Sequence, residues 1–131
     1  MSCTSRSGEP VRWESAAWHE SAELPGVRFQ VARPSLMRRA ELTRRVRDLV
    51  ERARCHAASE SPEERLSAAI LQLEADRIYV EWGLVSIEGL LIDGVAATTE
   101  TLLDRGPEAF CREIAERVRH ESALTEDERK N

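Results

Sequence analysis

The histidines and cysteines are the side chains of this sequence best suited to metal binding or nucleophilic chemistry. They are widely spread, at His19, His56, His120, Cys3, Cys55 and Cys111. The adjacent pair Cys55–His56 would point to different sides of a helix, and no zinc spacing such as H-E-x-x-H occurs. No serine stands in a nucleophile elbow. The sequence therefore predicts no metal site, no cofactor and no catalytic residue. Cys111, on the apolar side of a predicted helix, is expected to be a buried thiol.

Length and charge set further limits. The chain has 131 residues and a net charge of −5, which suits one domain with a real core. Residues 1–10 are small and polar and are expected to be a disordered lead, with a single helical domain over residues 11–131 and a charged end from about residue 122. The lead lacks the apolar core of a signal peptide, and no apolar run could span a membrane. We therefore expect a cytoplasmic protein with no membrane partner.

Arginine is concentrated between residues 33 and 54, a segment that contains eight arginines and three carboxylates. This stretch carries +5, so the rest of the chain carries −10. A solvated helix face, with Glu41–Arg45 and Asp48–Arg52 paired, is one interpretation, and docking onto an acidic protein is another. Nucleic-acid binding is a third, although no aromatic residues are interleaved with the arginines. Its candidate residues are Arg38, Arg39, Arg45 and Arg52.

Two long helices follow from the apolar spacing. Ser35 is a good N-cap for a helix over residues 36–58, and Ser61 with Pro62 begins a second one that ends near Gly83. The second helix is expected to bury a stripe consisting of Leu66, Ala69, Ile70, Leu73, Val80 and Leu84.

Arg77 falls in the middle of that stripe when residues are placed about 100° apart around the helix. An arginine paired with a carboxylate such as Asp76 is one explanation. The other is an anchor in a partner's groove, because arginine is common at interface hot spots.

The remaining elements are shorter. Val11–Trp18 and Val27–Val31 are predicted to form an N-terminal β pair, and Asp93–Gly94 predicts a hairpin near residues 85–97. A short helix then reaches about Asp104, and another begins at Pro107. The predicted fold is mainly α, a bundle of two long antiparallel helices and two shorter ones with this small β component. Trp13 and Trp18, outside the helices, would pack on the core or contact a partner.

The second half of the sequence carries a series of short motifs. They are Trp82–Gly83–Leu84, Ile87–Glu88–Gly89, Ile92–Asp93–Gly94, Ala97–Thr98–Thr99–Glu100, Leu102–Leu103, Gly106–Pro107–Glu108 and Glu128–Arg129–Lys130–Asn131. In this order they resemble the phage and prophage tail assembly chaperones. The similarity covers residues 82–131 and, more loosely, residues 27–60.

The resemblance implies a non-enzymatic chaperone that coats the tape measure protein and recruits tail tube subunits. A tape measure protein is a long helical chain with exposed apolar surface, which small amphipathic modules could cover. The candidate partner-binding residues are Arg38, Arg39, Arg45, Arg52, Arg77 and Trp82. A homo-oligomer is compatible with the sequence, and nucleic acid is not the expected partner. The alternative function is a small nucleic-acid-binding regulator that uses the arginine-rich helix.

Overall fold

A computed structural model of the chain describes residues 8–57 and 61–130, and it is mainly α-helical with short antiparallel strands. Its elements are β1 (Ala16–Glu20), β2 (Arg28–Ala32), α1 (Leu36–Ala57), α2 (Pro62–Gly83), β3 (Leu84–Glu88), β4 (Leu91–Ile92), β5 (Val95–Ala96), α3 (Thr99–Arg105) and α4 (Glu108–Lys130). Most of the predicted disordered lead lies outside the described residues, as do Cys3, the His56 side chain and Asn131.

The N-terminal β pair is confirmed, with its first strand displaced toward the C-terminus. β1 pairs antiparallel with β2, so that Trp18 lies opposite Gln30. Val27 donates its amide to the Leu24 carbonyl, and Gly26 between them has φ 92°, as a type II turn requires. This turn reverses the chain just before β2 begins.

A third strand completes this sheet, and it is the strand that the sequence assigned to the hairpin. β3 pairs antiparallel with β2, giving the order β1-β2-β3. The predicted hairpin over residues 85–97 is therefore too long, and its true strands are β4 and β5. Asp93 (φ 53°) and Gly94 (φ 81°) form its turn, with two left-handed residues as in type I′.

The helix starts follow the predicted caps. The Ser35 hydroxyl accepts from the Arg38 amide at 3.3 Å, and the Ser61 hydroxyl accepts from the Glu64 amide at 3.5 Å. Pro62 occupies the first turn of α2. These bonds satisfy amides that have no partner within the helix.

The fourth helix was predicted to be short, and it is instead as long as α1 and α2. α4 contains 23 residues, against 22 in each of α1 and α2. No glycine or proline follows Pro107, so nothing in the sequence interrupts the helix.

The core lies where β2, α2 and α4 meet. The rings of Phe29 and Phe110 pack edge to face with centroids 5.7 Å apart, and neither is more than 1% exposed. Helix α1 contributes Leu42 and Val46, and α3 contributes Leu102. One face of the sheet thus packs on α4, and α1 and α2 contribute further side chains to the same core.

The predicted buried stripe of α2 is wrong for its first half. Leu66, Ile70 and Leu73 are 64%, 51% and 52% exposed, and Ala69 is exposed as well. The face that α2 buries instead holds Ala68, Ala75, Tyr79 and Trp82. These residues lie about half a turn away from the aliphatic stripe. Helix α2 is therefore apolar on two faces. One face is buried, whereas the aliphatic face is exposed at Leu66, Ile70 and Leu73 and becomes buried at Val80.

Candidate functional site

In the described part of the chain, the histidines and cysteines do not come together in one site. Cys55 is exposed on α1, and the half-buried Cys111 thiol donates to the Leu102 carbonyl at 3.6 Å. Burial raises the pKa of that thiol, which disfavours the reactive thiolate. Burial also lowers the pKa of His19, and the charge of Arg117 lowers it further. Within residues 8–57 and 61–130, no group of three or more His, Cys, Asp or Glu side chains could hold a metal ion.

The arginines of α1 have unequal environments. The guanidinium of Arg45 lies 3.7 Å from Glu81 on α2, and one Arg39 nitrogen is buried without a hydrogen-bond partner in the described structure. Arg52 is exposed. The expected pairs Glu41–Arg45 and Asp48–Arg52 are not formed, because Arg45 turns to α2 and Asp48 lies beside Arg47 at 4.0 Å. The four candidate arginines therefore do not make one free basic face.

Arg38 and Trp82 form a contact between α1 and α2. The Arg38 guanidinium lies 4.6 Å from the indole centroid, and its Nη2 donates to the Trp82 carbonyl at 2.9 Å. The Trp82 side chain is only 7% exposed. Trp82 was a candidate for partner binding, but its ring lies inside the core.

We expect Arg38→Ala to lower the free energy of unfolding by about 1–2 kcal/mol, because it removes a cation–π contact and a hydrogen bond. Arg44→Ala is the matched control, since Arg44 is exposed on the same helix. Its effect should lie within about 0.5 kcal/mol. Urea unfolding of both variants checks the expectation. Equal losses would contradict a specific role for the Arg38 contact.

The other two tryptophans also lie under arginines. The Arg28 guanidinium is 4.5 Å from the Trp18 centroid, and that of Arg33 is 5.5 Å from Trp13. Trp13 is 71% exposed and Trp18 37% exposed. Of the two alternatives for these residues, core packing does not hold for Trp13.

The residues of the family-like motifs are mainly structural in the described part of the chain. A Cβ at Gly83 would lie 2.5 Å from a Val118 methyl, so the glycine allows α2 and α4 to approach closely. The Asp93 carboxylate accepts from Arg105 Nε at 2.9 Å, which ties the Asp-Gly turn to α3. Leu102 is fully buried. The Lys130 side chain and Asn131 lie outside the described residues.

An open groove lies between α2, α3 and α4, with a volume of about 430 Å³. We call it the α2–α4 groove. Its aliphatic walls come from Ile70, Leu73 and Val80 on α2 and from Leu102 and Leu103 on α3. The exposed side chain of Leu66 lies one helical turn before Ile70 and extends the same apolar face. The sequence did not predict this surface, because the periodicity of α2 assigned Leu66, Ile70 and Leu73 to a buried stripe.

Arg77 stands at the edge of the groove and is paired on its own helix. Its guanidinium lies 2.9 Å from Glu74 and 3.4 Å from Glu81. These carboxylates raise the pKa of Arg77. The paired arginine expected as one alternative is therefore present, with Glu74 and Glu81 in place of the suggested Asp76.

Asp76 is one of three carboxylates that line the groove, with Glu74 and Glu108. It is half-buried and accepts one long hydrogen bond, from the Gln72 amide at 3.4 Å. Burial raises the pKa of the Asp76 carboxyl, and Gln72, Arg119 and Arg112 offset that rise in part while Glu116 adds to it.

Comparisons with protein families, with curated proteins and with solved structures found no match to this chain. Among the helices in the described part of the chain, none combines the length and apolar character needed to cross a membrane.

Proposed function

We propose that this chain is a non-enzymatic tail assembly chaperone of a phage, prophage or phage-tail-like particle that binds the tape measure protein. The observation that carries the proposal is the second apolar face of α2, where Leu66, Ile70 and Leu73 are more than half exposed beside an open groove. Contiguous exposed aliphatic surface is typical of protein–protein binding sites. The resemblance over residues 82–131 suggests the partner.

The mode of binding is helix in groove. An amphipathic helix of the tape measure protein would lay its apolar stripe along the α2–α4 groove. Burying the exposed parts of three aliphatic side chains would contribute about 3–4 kcal/mol on an area basis, before the cost of association. The bound complex would then recruit tail tube subunits in the cytoplasm of the bacterial host.

The two long helices would form the rigid support of this site. We infer that α1 and α2 pair as an antiparallel hairpin. The contact between Arg38, near the start of α1, and Trp82, near the end of α2, supports this arrangement. The ion pair between Arg45 and Glu81 adds to that support.

Co-expression tests the proposal. With the tape measure protein of the same genome, the wild-type chain is expected to form a soluble complex that survives size-exclusion chromatography. The double substitution Ile70→Glu and Leu73→Glu should weaken that complex by at least about 30-fold, because it places two charges in the apolar contact. Titration of the purified proteins measures this loss.

The control changes two apolar residues outside the groove that are even more exposed than Ile70 and Leu73. Leu36→Glu with Met37→Glu alters the first turn of α1, where these side chains are 84% and 74% exposed. Binding should stay near the wild-type value. Separate elution of the two wild-type proteins, with no gain in solubility of the tape measure protein, would refute the proposed function.

Nucleic-acid binding is the second candidate. Arg44, Arg52 and Arg54 are exposed and have no ion pair among the described residues, which favours it. Arg38 and Arg45 are already engaged with α2, and the remainder of the chain is acidic. Binding to duplex DNA should weaken steeply with salt if this function holds. No binding at low salt would remove it.

A further inference from the structure

The surroundings of the α2–α4 groove are acidic. The groove and the shallow depression beside it are lined by six carboxylates and three guanidinium groups. The carboxylates are Glu74, Asp76, Glu81, Glu100, Asp104 and Glu108. The aliphatic walls are therefore surrounded by an excess of negative charge.

Each guanidinium group on this surface already has a partner. Arg77 is held by Glu74 and Glu81 as described above, and the Arg112 guanidinium lies 2.5 Å from Glu108. Arg105 lies 2.9 Å from Asp93 and 3.2 Å from Asp104. No arginine of the groove is left to meet an acidic partner.

Asp76, unlike these arginines, has no ion-pair partner among the described residues. Among the described residues no cationic group lies within ion-pair distance of its carboxylate, and its one hydrogen bond, from Gln72, is long. The charges of Arg112 and Arg119 on α4 offset the desolvation of this half-buried carboxylate only in part, so its ionised form is held at a cost. A cation brought by a ligand would offset that cost, as charge complementarity at interfaces commonly does.

From these observations we infer that the α2–α4 groove selects a basic amphipathic helix, in which a lysine or arginine beside an aliphatic stripe pairs with Asp76. The inference rests on the proposed function for the source of that helix, a segment of the tape measure protein. Ile70, Leu73 and Leu103 hold the aliphatic stripe, and the surrounding carboxylates exclude acidic helices.

Two synthetic peptides of about 20 residues, long enough to form helix, provide the test. Both carry the same leucine stripe, and one has lysines beside it where the other has glutamates. Fluorescence anisotropy with the full chain measures each Kd. The lysine peptide should bind at least about fivefold more tightly, and the difference should shrink as salt is added.

Asp76→Asn is the decisive variant. It keeps the side-chain size and the acceptor for Gln72. The logarithm of the ratio of the two peptide Kd values should fall to about half of its wild-type value or less. Asp48→Asn is the matched control, because it removes the same charge from an exposed site on α1 and should leave the preference unchanged. Thermal melting checks the folding of both proteins. Because burial raises the pKa of Asp76, the asparagine variant should melt at or above the wild-type temperature at neutral pH.

Three results would overturn the inference: equal binding of the two peptides to the wild type, no binding of either, or an unchanged preference in Asp76→Asn. The double variant Ile70→Glu and Leu73→Glu distinguishes failure of this inference from failure of the proposed function. If the double variant no longer binds the tape measure protein, the groove is the binding site. If Asp76→Asn then prefers the lysine peptide as strongly as the wild type does, the groove binds that protein without selecting a basic helix through Asp76. The opposite result is that the peptides show the Asp76-dependent preference but the chain forms no complex with the tape measure protein. That result would refute the tape measure protein as the partner.

Discussion

Phe110→Ala is expected to lower the free energy of unfolding by about 3–5 kcal/mol. Phe110 is fully buried and packs edge to face on Phe29, so the substitution empties the space between the sheet and α4. Single domains are stabilised by only roughly 5–15 kcal/mol, and the variant should be largely unfolded at moderate urea. Denaturant unfolding followed by circular dichroism measures the loss.

Phe110→Leu is the control for this prediction. It keeps an apolar side chain in the same space, so the loss should be clearly smaller than for alanine. An unfolding midpoint near the wild-type value for Phe110→Ala would show that the contact between α4 and the sheet does not stabilise the fold.

The second prediction concerns the close approach of α2 and α4. Gly83→Ala is expected to lower the free energy of unfolding by about 1–2 kcal/mol. A better helix former would contribute at most about 1 kcal/mol, whereas the new Cβ would stand 2.5 Å and 2.9 Å from the two Val118 methyl groups. Overpacking of this kind costs about 1–3 kcal/mol.

A double-mutant cycle with Val118→Ala tests the cause. The valine substitution alone removes buried methyl groups and destabilises the fold, but in the Gly83→Ala background it also relieves the clash. The double variant should therefore be more stable than the sum of the two single effects predicts. Strict additivity would mean that Gly83 is needed for some reason other than the Val118 contact.

These predictions bear on the motif that begins with Trp82–Gly83. Trp82 is buried under Arg38, and Gly83 lets α4 approach, so the pair stabilises the fold without presenting a surface to a partner. The proposed binding surface lies on the same helix but about a half-turn away from Trp82, along the exposed residues Leu66, Ile70 and Leu73. Substitutions in the motif should therefore affect binding only through stability.

The sequence was sufficient to predict helix caps and tight turns, because these depend on neighbouring residues. Ser35 and Ser61 cap their helices, and the Asp93–Gly94 turn forms the small hairpin, because each depends on residues within three or four positions. In the same way, the length of α4 follows from the lack of any helix breaker after Pro107, a signal that the prediction of a short helix overlooked.

Tertiary structure alone decided which apolar surfaces are core and which are free. Helix α2 has aliphatic residues on one side and alanine, tyrosine and tryptophan on the other, so periodicity marks both faces and cannot say which one meets the chain itself. The pairing of β3 with β2 joins residues more than fifty positions apart, and no local pattern encodes it. From the sequence, Asp76 was a candidate partner for Arg77, but that arginine pairs with Glu74 and Glu81. In the structure the Asp76 carboxylate is half-buried, lines the α2–α4 groove and has no cation within ion-pair distance among the described residues.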